Sequence, residues 1–286
     1  MSGEAGPPAP LYPLLYEPLV RRALEEDLGR AGDLTSDACL PPDLQGEARV
    51  VVRRAGRIAG LDVALSAFCI LDPSVETVAH RRDGEDADAG AVIATVRGPA
   101  RVLLSAERTA LNFLGRLSGI ATATRDLVAI VAPHGAQVVC TRKTTPGLRA
   151  LEKYAVRCGG GANHRFGLDD AVLIKDNHRA LAGGLTAAVE RARRHVGHLV
   201  KIEVEVDSLE QLREALDLGV DVVLLDNMPL DVLREAVRLA KGRAITEASG
   251  GIRPDTAAAI AATGVDLLSV GWLTHSAPAL DVALDI

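Results

Sequence analysis

From Ala136 onwards the chain alternates between short aliphatic runs and amphipathic stretches at intervals of roughly 20 to 25 residues, and this alternation limits its possible folds more than any other feature. The strand-like runs are "AQVVCTRK", "AVLIKD", "VKIEVEV", "DVVLLDN", "RAITEASGG" and "DLLSVGW". The helical stretches are "LTAAVERARRHV", "SLEQLREALDLG", "PLDVLREAVRLAKG" and "RPDTAAAIAATG". Repetition of this kind specifies parallel βα units, because parallel neighbours need a long crossover and a helix covers the sheet face. About six strands are visible, so an eight-stranded barrel is one or two strands short, and a doubly wound sheet remains a rival. The placement of polar residues favours the barrel. Arg142 and Lys143, Lys175 and Asp176, Glu205, Asp226 and Asn227, Ser249, then Ser269 and Gly271 all stand at strand C-terminal ends. Those ends form one face, where a (β/α) barrel carries its active site; an open sheet would gather ligand groups mainly at a switch point.

The preceding part reads as α+β. "YEPLVRRALEEDL" has the spacing of an amphipathic helix ending near Gly29, "EARVVVRRAGRIAG" and "AVIATVRGPARVLLS" read as strands, and "DGEDADAG" as an acidic turn. The long helical stretch "AERTALNFLGRLSGIATATRDLVAIVAPHG", with Leu111, Leu114 and Leu117, crosses into the second domain, while "MSGEAGPPAP" is expected to fray. With 286 residues, 48% of them hydrophobic, the chain can bury a substantial core. It has no apolar run near the roughly 20 residues that span a bilayer and no signal-like start, so a cytoplasmic protein with no membrane partner is expected. Cys39, Cys69, Cys140 and Cys158 form no C-x-x-C pair, which argues against a disulfide framework or a structural zinc site. A net charge of -6 and 2% aromatic residues argue against nucleic acid, leaving a small molecule as the expected partner.

Several groups at the strand ends have chemistry of their own. In "VKIEVEV" the charges of Lys201, Glu203 and Glu205 share one face; inside a barrel, Glu205 lies nearest the mouth with Glu203 and Lys201 as internal support, and a half-buried edge strand would give the same pattern. Asp226 reads either as a helix cap or, beside Glu205, as half of a carboxylate pair for Mg²⁺ bridged to phosphate. "EASGGIRPDT" and "LLSVGWLT" supply small residues and backbone N–H groups suited to phosphate, although Gly250 and Gly251 also suit a simple turn. Arg142, Lys143, Arg165 and Lys175, near Gly159, Gly160 and Gly161, form a cationic group able to hold a dianion. His164 and His178 flank Lys175, with an orienting role favoured over proton transfer; His195 and His198 read as solvated at a helix end.

"TRKTTPGLRALEKYAV", "GGGANHRFGLDDAVLIKDNH", "IEVEV", "LLDN" and "ASGGI", in this order and spacing, closely resemble the quinolinate phosphoribosyltransferases, and "EEDLGRAGDLTS" and "AERTALNFLGRLSGIAT" match as well. The resemblance implies an N-terminal α/β sandwich domain (1–115), an incomplete (β/α) barrel (116–273) and a tail (274–286) that returns to the first domain. It implies transfer of phosphoribosyl from 5-phosphoribosyl 1-pyrophosphate to quinolinate with Mg²⁺, giving nicotinate mononucleotide, pyrophosphate and CO₂ in NAD synthesis. Thr141, Arg142, Lys143, His164, Arg165 and Lys175 would surround quinolinate and a neighbouring phosphate. Lys143, Lys175, Glu205 and Asp226 would be catalytic, with Glu205 and Asp226 facing ribose and metal-pyrophosphate. Ser249, Gly250, Gly251, Ser269, Val270 and Gly271 would hold the 5′-phosphate. Arg108 would come from a second protomer, so a homodimer would be the minimum active unit. Cys140 stands where such sequences usually have Asp, which bears on how Arg142 is held, and Gly115 and Phe166 are also unusual. Three rivals remain: a related protein of molybdenum-transport operons, a Schiff-base lyase using Lys175, and an anion-sensing barrel without turnover.

Overall fold

The computed structural model describes residues 8–286, so residues 1–7 of the segment expected to fray lie outside the described residues. Two compact units are present among the described residues, one formed by 8–125, 145–160 and 273–286 and the other by 126–144 and 161–272. Among the described residues, no helix is long and apolar enough to cross a membrane.

The first unit begins with α1 (Glu17–Leu28), which buries Val20 and Leu24 and ends at Gly29 as its spacing predicts, and α2 (Leu34–Cys39), where the Asp33 carboxylate accepts the Ser36 N–H at 3.0 Å. The unit continues with β1 (Gln45–Val52), β2 (Gly56–Arg57), α3 (Leu61–Leu71), β3 (Glu76–Ala79), β4 (Asp86–Ala87) and β5 (Val92–Pro99). The acidic segment expected as a turn contains β4, which pairs with β2. The strand expected through "ARVLLS" stops at Pro99, and α4 (Ala100–Val131) starts at once. Leu103, Ala106, Ala110, Leu114 and Leu117 explain why: they are all buried and recur every three or four residues, a helical period that overrides the local strand propensity.

The second unit contains β6 (Gln137–Val139). After it comes α5 (Arg149–Cys158), which belongs to the first unit, where its buried Glu152 accepts from Arg116 of α4 at 2.8 Å. The second unit resumes with β7 (Val172–Ile174), α6 (Asp176–Ala182), α7 (Leu185–His195), β8 (Ile202–Val206), α8 (Leu209–Asp217), β9 (Val222–Asp226), α9 (Leu230–Ala240), β10 (Ile245–Ser249), α10 (Pro254–Ala261) and β11 (Leu267–Ser269). Its strands form a parallel sheet in the order β6-β11-β10-β9-β8-β7, the six runs read from the sequence. No ladder joins β6 to β7 among the described residues, so the barrel is incomplete. Lys201 is a correction: it precedes β8 and is 71% exposed, pairing with Asp221 at 2.5 Å where the strand N-termini open to solvent, and it gives no internal support.

After α11 (Trp272–His275), β12 (Val282–Asp285) pairs antiparallel with β1 and completes a four-stranded sheet in the order β12-β1-β5-β3. Two glycines of α4 permit this return. A Cβ on Gly119 would lie 2.1 Å from the Pro278 carbonyl oxygen. Gly115, unusual by resemblance, accepts the Leu280 N–H at 2.8 Å, and a Cβ there would meet the Leu280 carbonyl oxygen at 2.9 Å. Nothing in the structure explains Phe166, which is half exposed.

Candidate active site

Register across the parallel sheet decides which side chains face inward, because residues paired across parallel strands point to the same side. Leu173 pairs with Glu203, Glu205 with Leu224, Leu224 with Glu247, and Glu247 with Leu267. One step nearer the strand C-termini, Asp226 pairs with Ser249, Ser249 with Ser269, and Ser269 with Val139. Polar and charged groups from four neighbouring strands therefore share one concave face. A cavity of about 340 Å³ opens there, lined by Thr141, Arg142, Lys143, His164, Arg165, Leu173, Lys175, Leu224, Glu247, Ser249 and Ser269. Eight of these are candidates from the sequence; the polar newcomer is Glu247, whose one sequence signal is that it lies two residues before Ser249 and so shares its face.

The cationic wall is built from loops. Beyond β6 the chain turns sharply, with Lys143 N–H donating to Thr141 Oγ1 at 3.0 Å and Thr144 N–H to the Arg142 carbonyl at 3.0 Å, which brings Thr141, Arg142 and Lys143 to the cavity. Arg165 donates from Nη1 to the Ala171 carbonyl at 3.0 Å. Burial, and then the neighbouring Arg142 charge, lower the Arg165 pKa, offset in part by the Glu203 and Asp170 carboxylates. Arg142 Nε is buried without a hydrogen-bond partner. Cys140, in the position where a carboxylate was expected, is buried and directs its thiol to Asn163 Oδ1 at 3.4 Å.

Lys175 donates to Glu205 Oε2 at 2.8 Å. An ammonium so paired has no lone pair with which to attack a carbonyl, which counts against the Schiff-base reading. Asp226 accepts from Asn227 Nδ2 at 2.9 Å, and α9 is preceded by Pro229, so Asp226 is not its cap. Beside Asp226, Gly250 adopts φ +97°, and a Cβ there would lie 2.1 Å from Asn227 Oδ1. Gly251 is also left-handed, at φ +60°. The two loops after β10 and β11 are tied together where Trp272 Nε1–H donates to the Ile252 carbonyl at 2.9 Å. Gly250, Gly251, Val270 and Gly271 thus follow the two serines that line the cavity. Val270 is buried, its N–H donating to the Val139 carbonyl at 2.9 Å. His178 does not line this cavity; its Nδ1 accepts the Lys175 N–H at 3.0 Å, an orienting contact. Arg108 belongs to the first unit, is 64% exposed and lines a different cavity of about 480 Å³.

Two sets of groups have donor atoms suited to a metal. Glu205 and Asp226 each use one oxygen in the contacts above and keep the other, and such hard oxygens fit Mg²⁺ that also takes phosphate oxygens and water. His164, Glu203 and Glu247 also bring a nitrogen and two carboxylate oxygens within 4.8 Å of one another. There, however, His164 Nδ1 accepts the Arg165 N–H at 2.8 Å, which leaves the neutral ring's proton on Nε2, the nitrogen a metal would need. In that trio the Nε2–H donates to Glu203 Oε2 at 3.0 Å, with Glu247 Oε1 3.6 Å away. Burial, and then the Glu203 charge, push the Glu247 pKa up to about 7.

Residues 33–118 match the model of the quinolinate phosphoribosyl transferase N-terminal domain, and residues 120–285 match that of the C-terminal domain. The chain belongs to the quinolinate phosphoribosyltransferase family. Within that family it is 46% identical over 273 residues to the probable nicotinate-nucleotide pyrophosphorylase [carboxylating] of Bacillus subtilis, covering 96% of this chain and 94% of the relative. It is likewise 46% identical to the Mycobacterium leprae nicotinate-nucleotide pyrophosphorylase [carboxylating], covering 93% and 95% of the two chains. The crystal structure of NadC from Streptococcus pyogenes superposes with a TM-score of 0.94 at 38% identity, covering 98% of each chain. Similarity to this phosphoribosyltransferase family therefore extends through both units and includes the segments that carry the cavity.

Proposed function

We propose that this chain transfers the phosphoribosyl group of 5-phosphoribosyl 1-pyrophosphate to the ring nitrogen of quinolinate, with decarboxylation, to give nicotinate mononucleotide, pyrophosphate and CO₂ for NAD synthesis. The observation that carries this reading is the convergence of Arg142, Lys143, Arg165 and Lys175 with Ser249 and Ser269 in one cavity of about 340 Å³. A small dicarboxylate matches the first four and a phosphate the last two.

The pyridine nitrogen bonds to ribose C1′ as the C1′–O bond breaks, and that bonding pair leaves with pyrophosphate. The bond between C2 and its carboxylate then breaks, its electron pair stays on C2 beside the positive ring nitrogen, and C2 takes a proton from solvent as CO₂ departs. Arg142 and Arg165 hold the carboxylates in bidentate fashion, with Thr141 and His164 beside them. Lys143 and Lys175 act as point charges toward carboxylate and pyrophosphate, and Glu205 keeps Lys175 in place. Ser249 to Gly251 and Ser269 to Gly271 receive the 5′-phosphate. Glu205 and Asp226 would hold Mg²⁺, which supplies charge neutralisation for the pyrophosphate leaving group. The protein's own contribution is positioning and preorganised charge, with no covalent nucleophile.

In this reading the enzyme works as a homodimer, with Arg108 reaching a partner's site, and it works in the cytoplasm, where its four free cysteines suit a reducing compartment. Incubating the purified chain with quinolinate, 5-phosphoribosyl 1-pyrophosphate and a magnesium salt tests the activity. Nicotinate mononucleotide, pyrophosphate and CO₂ are expected in equal amounts. Turnover of nicotinate in place of quinolinate, or pyrophosphate release without quinolinate, overturns the reading.

A further inference from the structure

Beneath the cationic wall runs a chain of contacts that ends in two acids the reaction chemistry leaves unused. It begins at the backbone of Arg165, whose N–H donates to His164 Nδ1 at 2.8 Å. A ring nitrogen that accepts carries no proton, so the neutral imidazole keeps its hydrogen on Nε2. That N–H faces Glu203 Oε2 at 3.0 Å and Glu247 Oε1 at 3.6 Å. Glu203 comes from β8 and Glu247 from β10, and both are buried; Glu247 is 2% exposed. Glu203 Oε1 and Glu247 Oε1 have no hydrogen-bond partner of normal length. Two acids buried side by side are costly and do not contribute to stability. Their placement under a histidine that leads directly into a cationic residue points to a functional reason.

We propose that Glu247 is a positioning residue of the dicarboxylate half-site: Glu203 accepts the His164 Nε2–H, Glu247 backs that seat from the neighbouring side at 3.6 Å, and the seated ring fixes the backbone from which Arg165 projects. This rests on the reading of His164 and Arg165 as quinolinate-binding groups. The guanidinium is held at its far end by the Ala171 carbonyl, so fixing the backbone at the near end leaves the remaining N–H groups with a single direction. A bidentate contact requires that direction, since a small displacement weakens both hydrogen bonds at once. Glu247 acts through His164 and does not itself touch the reacting atoms. Glutamine in its place retains an acceptor and gains an N–H that can donate to Glu203; leucine retains neither.

The test uses the full chain with ¹⁵N-labelled histidine, as wild type, Glu247→Gln and Glu247→Leu, each verified as folded by thermal unfolding. Two-bond ¹H–¹⁵N spectra of wild type and Glu247→Gln are expected to report His164 protonated on Nε2 alone. Glu247→Gln is expected to keep the quinolinate KM within about threefold, whereas Glu247→Leu raises it about tenfold. The KM for 5-phosphoribosyl 1-pyrophosphate and kcat stay within about threefold in both variants. Should Glu247→Leu fail to fold, Glu247→Asp, which withdraws the carboxyl by one methylene, carries the test with the same expected rise in quinolinate KM. A His164 proton on Nδ1 in wild type, an unchanged quinolinate KM in the leucine variant, or a rise confined to the other substrate overturns the positioning role. If wild type does not use quinolinate at all, the proposed function fails separately. The His164 spectrum of Glu247→Leu then decides the seat: an altered spectrum supports it and an unaltered one overturns it.

Discussion

The Glu247 carboxyl also makes a prediction about stability. In the unfolded chain it ionises near its ordinary value of 4.5, but in the folded protein burial and the Glu203 charge hold its pKa up at about 7. Below pH 4.5 both states bind the proton and the group is neutral to folding. As pH rises toward 7 the unfolded chain gives up its proton first, so this group lowers stability across that window, and its full cost remains above pH 7. Glu247→Gln removes the cost. The variant is expected to be more stable than wild type at pH 8, by on the order of 2 kcal/mol, and to lose that advantage at pH 4.5. Urea unfolding at the two pH values measures it, and an equal difference at both would exclude ionisation as the cause. The sequence made one wall of the site legible and not the other. Arg142, Lys143, Arg165 and Lys175 stand out because cations at strand ends are rare in an acidic chain, and the Glu203/Glu205 alternation marks an inward face. Glu247 has no such pattern in "ITEAS"; only the pairing of β10 with β9 and β11 brings it under His164. Cys140 is the reverse case, legible as a departure, with Asn163 as a partner that spacing cannot supply.

At the scale of elements, the loop after β10 depends on a backbone that only glycine tolerates. Gly250 combines φ +97° with a space already filled by the Asn227 side chain. Gly250→Ala therefore adds backbone strain to a steric clash at the proposed 5′-phosphate position. It is expected to cost roughly 1–3 kcal/mol in stability and to raise the KM for 5-phosphoribosyl 1-pyrophosphate about tenfold, with a smaller effect on quinolinate. Steady-state kinetics varying each substrate in turn measures the split, and an equal change in both KM values would place the damage elsewhere. The parallel strands were legible for a physical reason: each is buried on at least one face and bounded by turn residues, so periodicity and punctuation agree. The elements without a clear signature in the sequence lack one signal or the other. The residues of α5 are mixed with charges that read as a motif, two of which, Glu152 and Lys153, turn out to be buried. The short β12 follows a Pro/Ala-rich stretch and becomes a strand only because β1 offers it an edge.

At the scale of the whole molecule, the remaining question is whether one chain is a complete enzyme. The cationic wall, the two serine loops and the Glu205/Asp226 pair all belong to a single unit of the fold, while Arg108 stands on α4 of the other unit, exposed, with Glu107 at 3.8 Å as its ion-pair partner. Local pattern does not reveal which chain's site such a residue serves, because helical spacing reports burial and Arg108 is not buried. Complementation reads it directly. If Arg108 acts in the partner's site, Arg108→Ala and Lys143→Ala homodimers are each inactive, whereas a mixed dimer contains one site with both residues intact and one with neither. Equal mixing with free subunit exchange makes about half the dimers mixed, so about one quarter of wild-type activity is expected to return. If both residues served the same chain's site, every site in every dimer would lack one of them and no activity would return. Subunit exchange is established independently, by co-purification of differently tagged chains, so that absent recovery after proven exchange rejects the shared site.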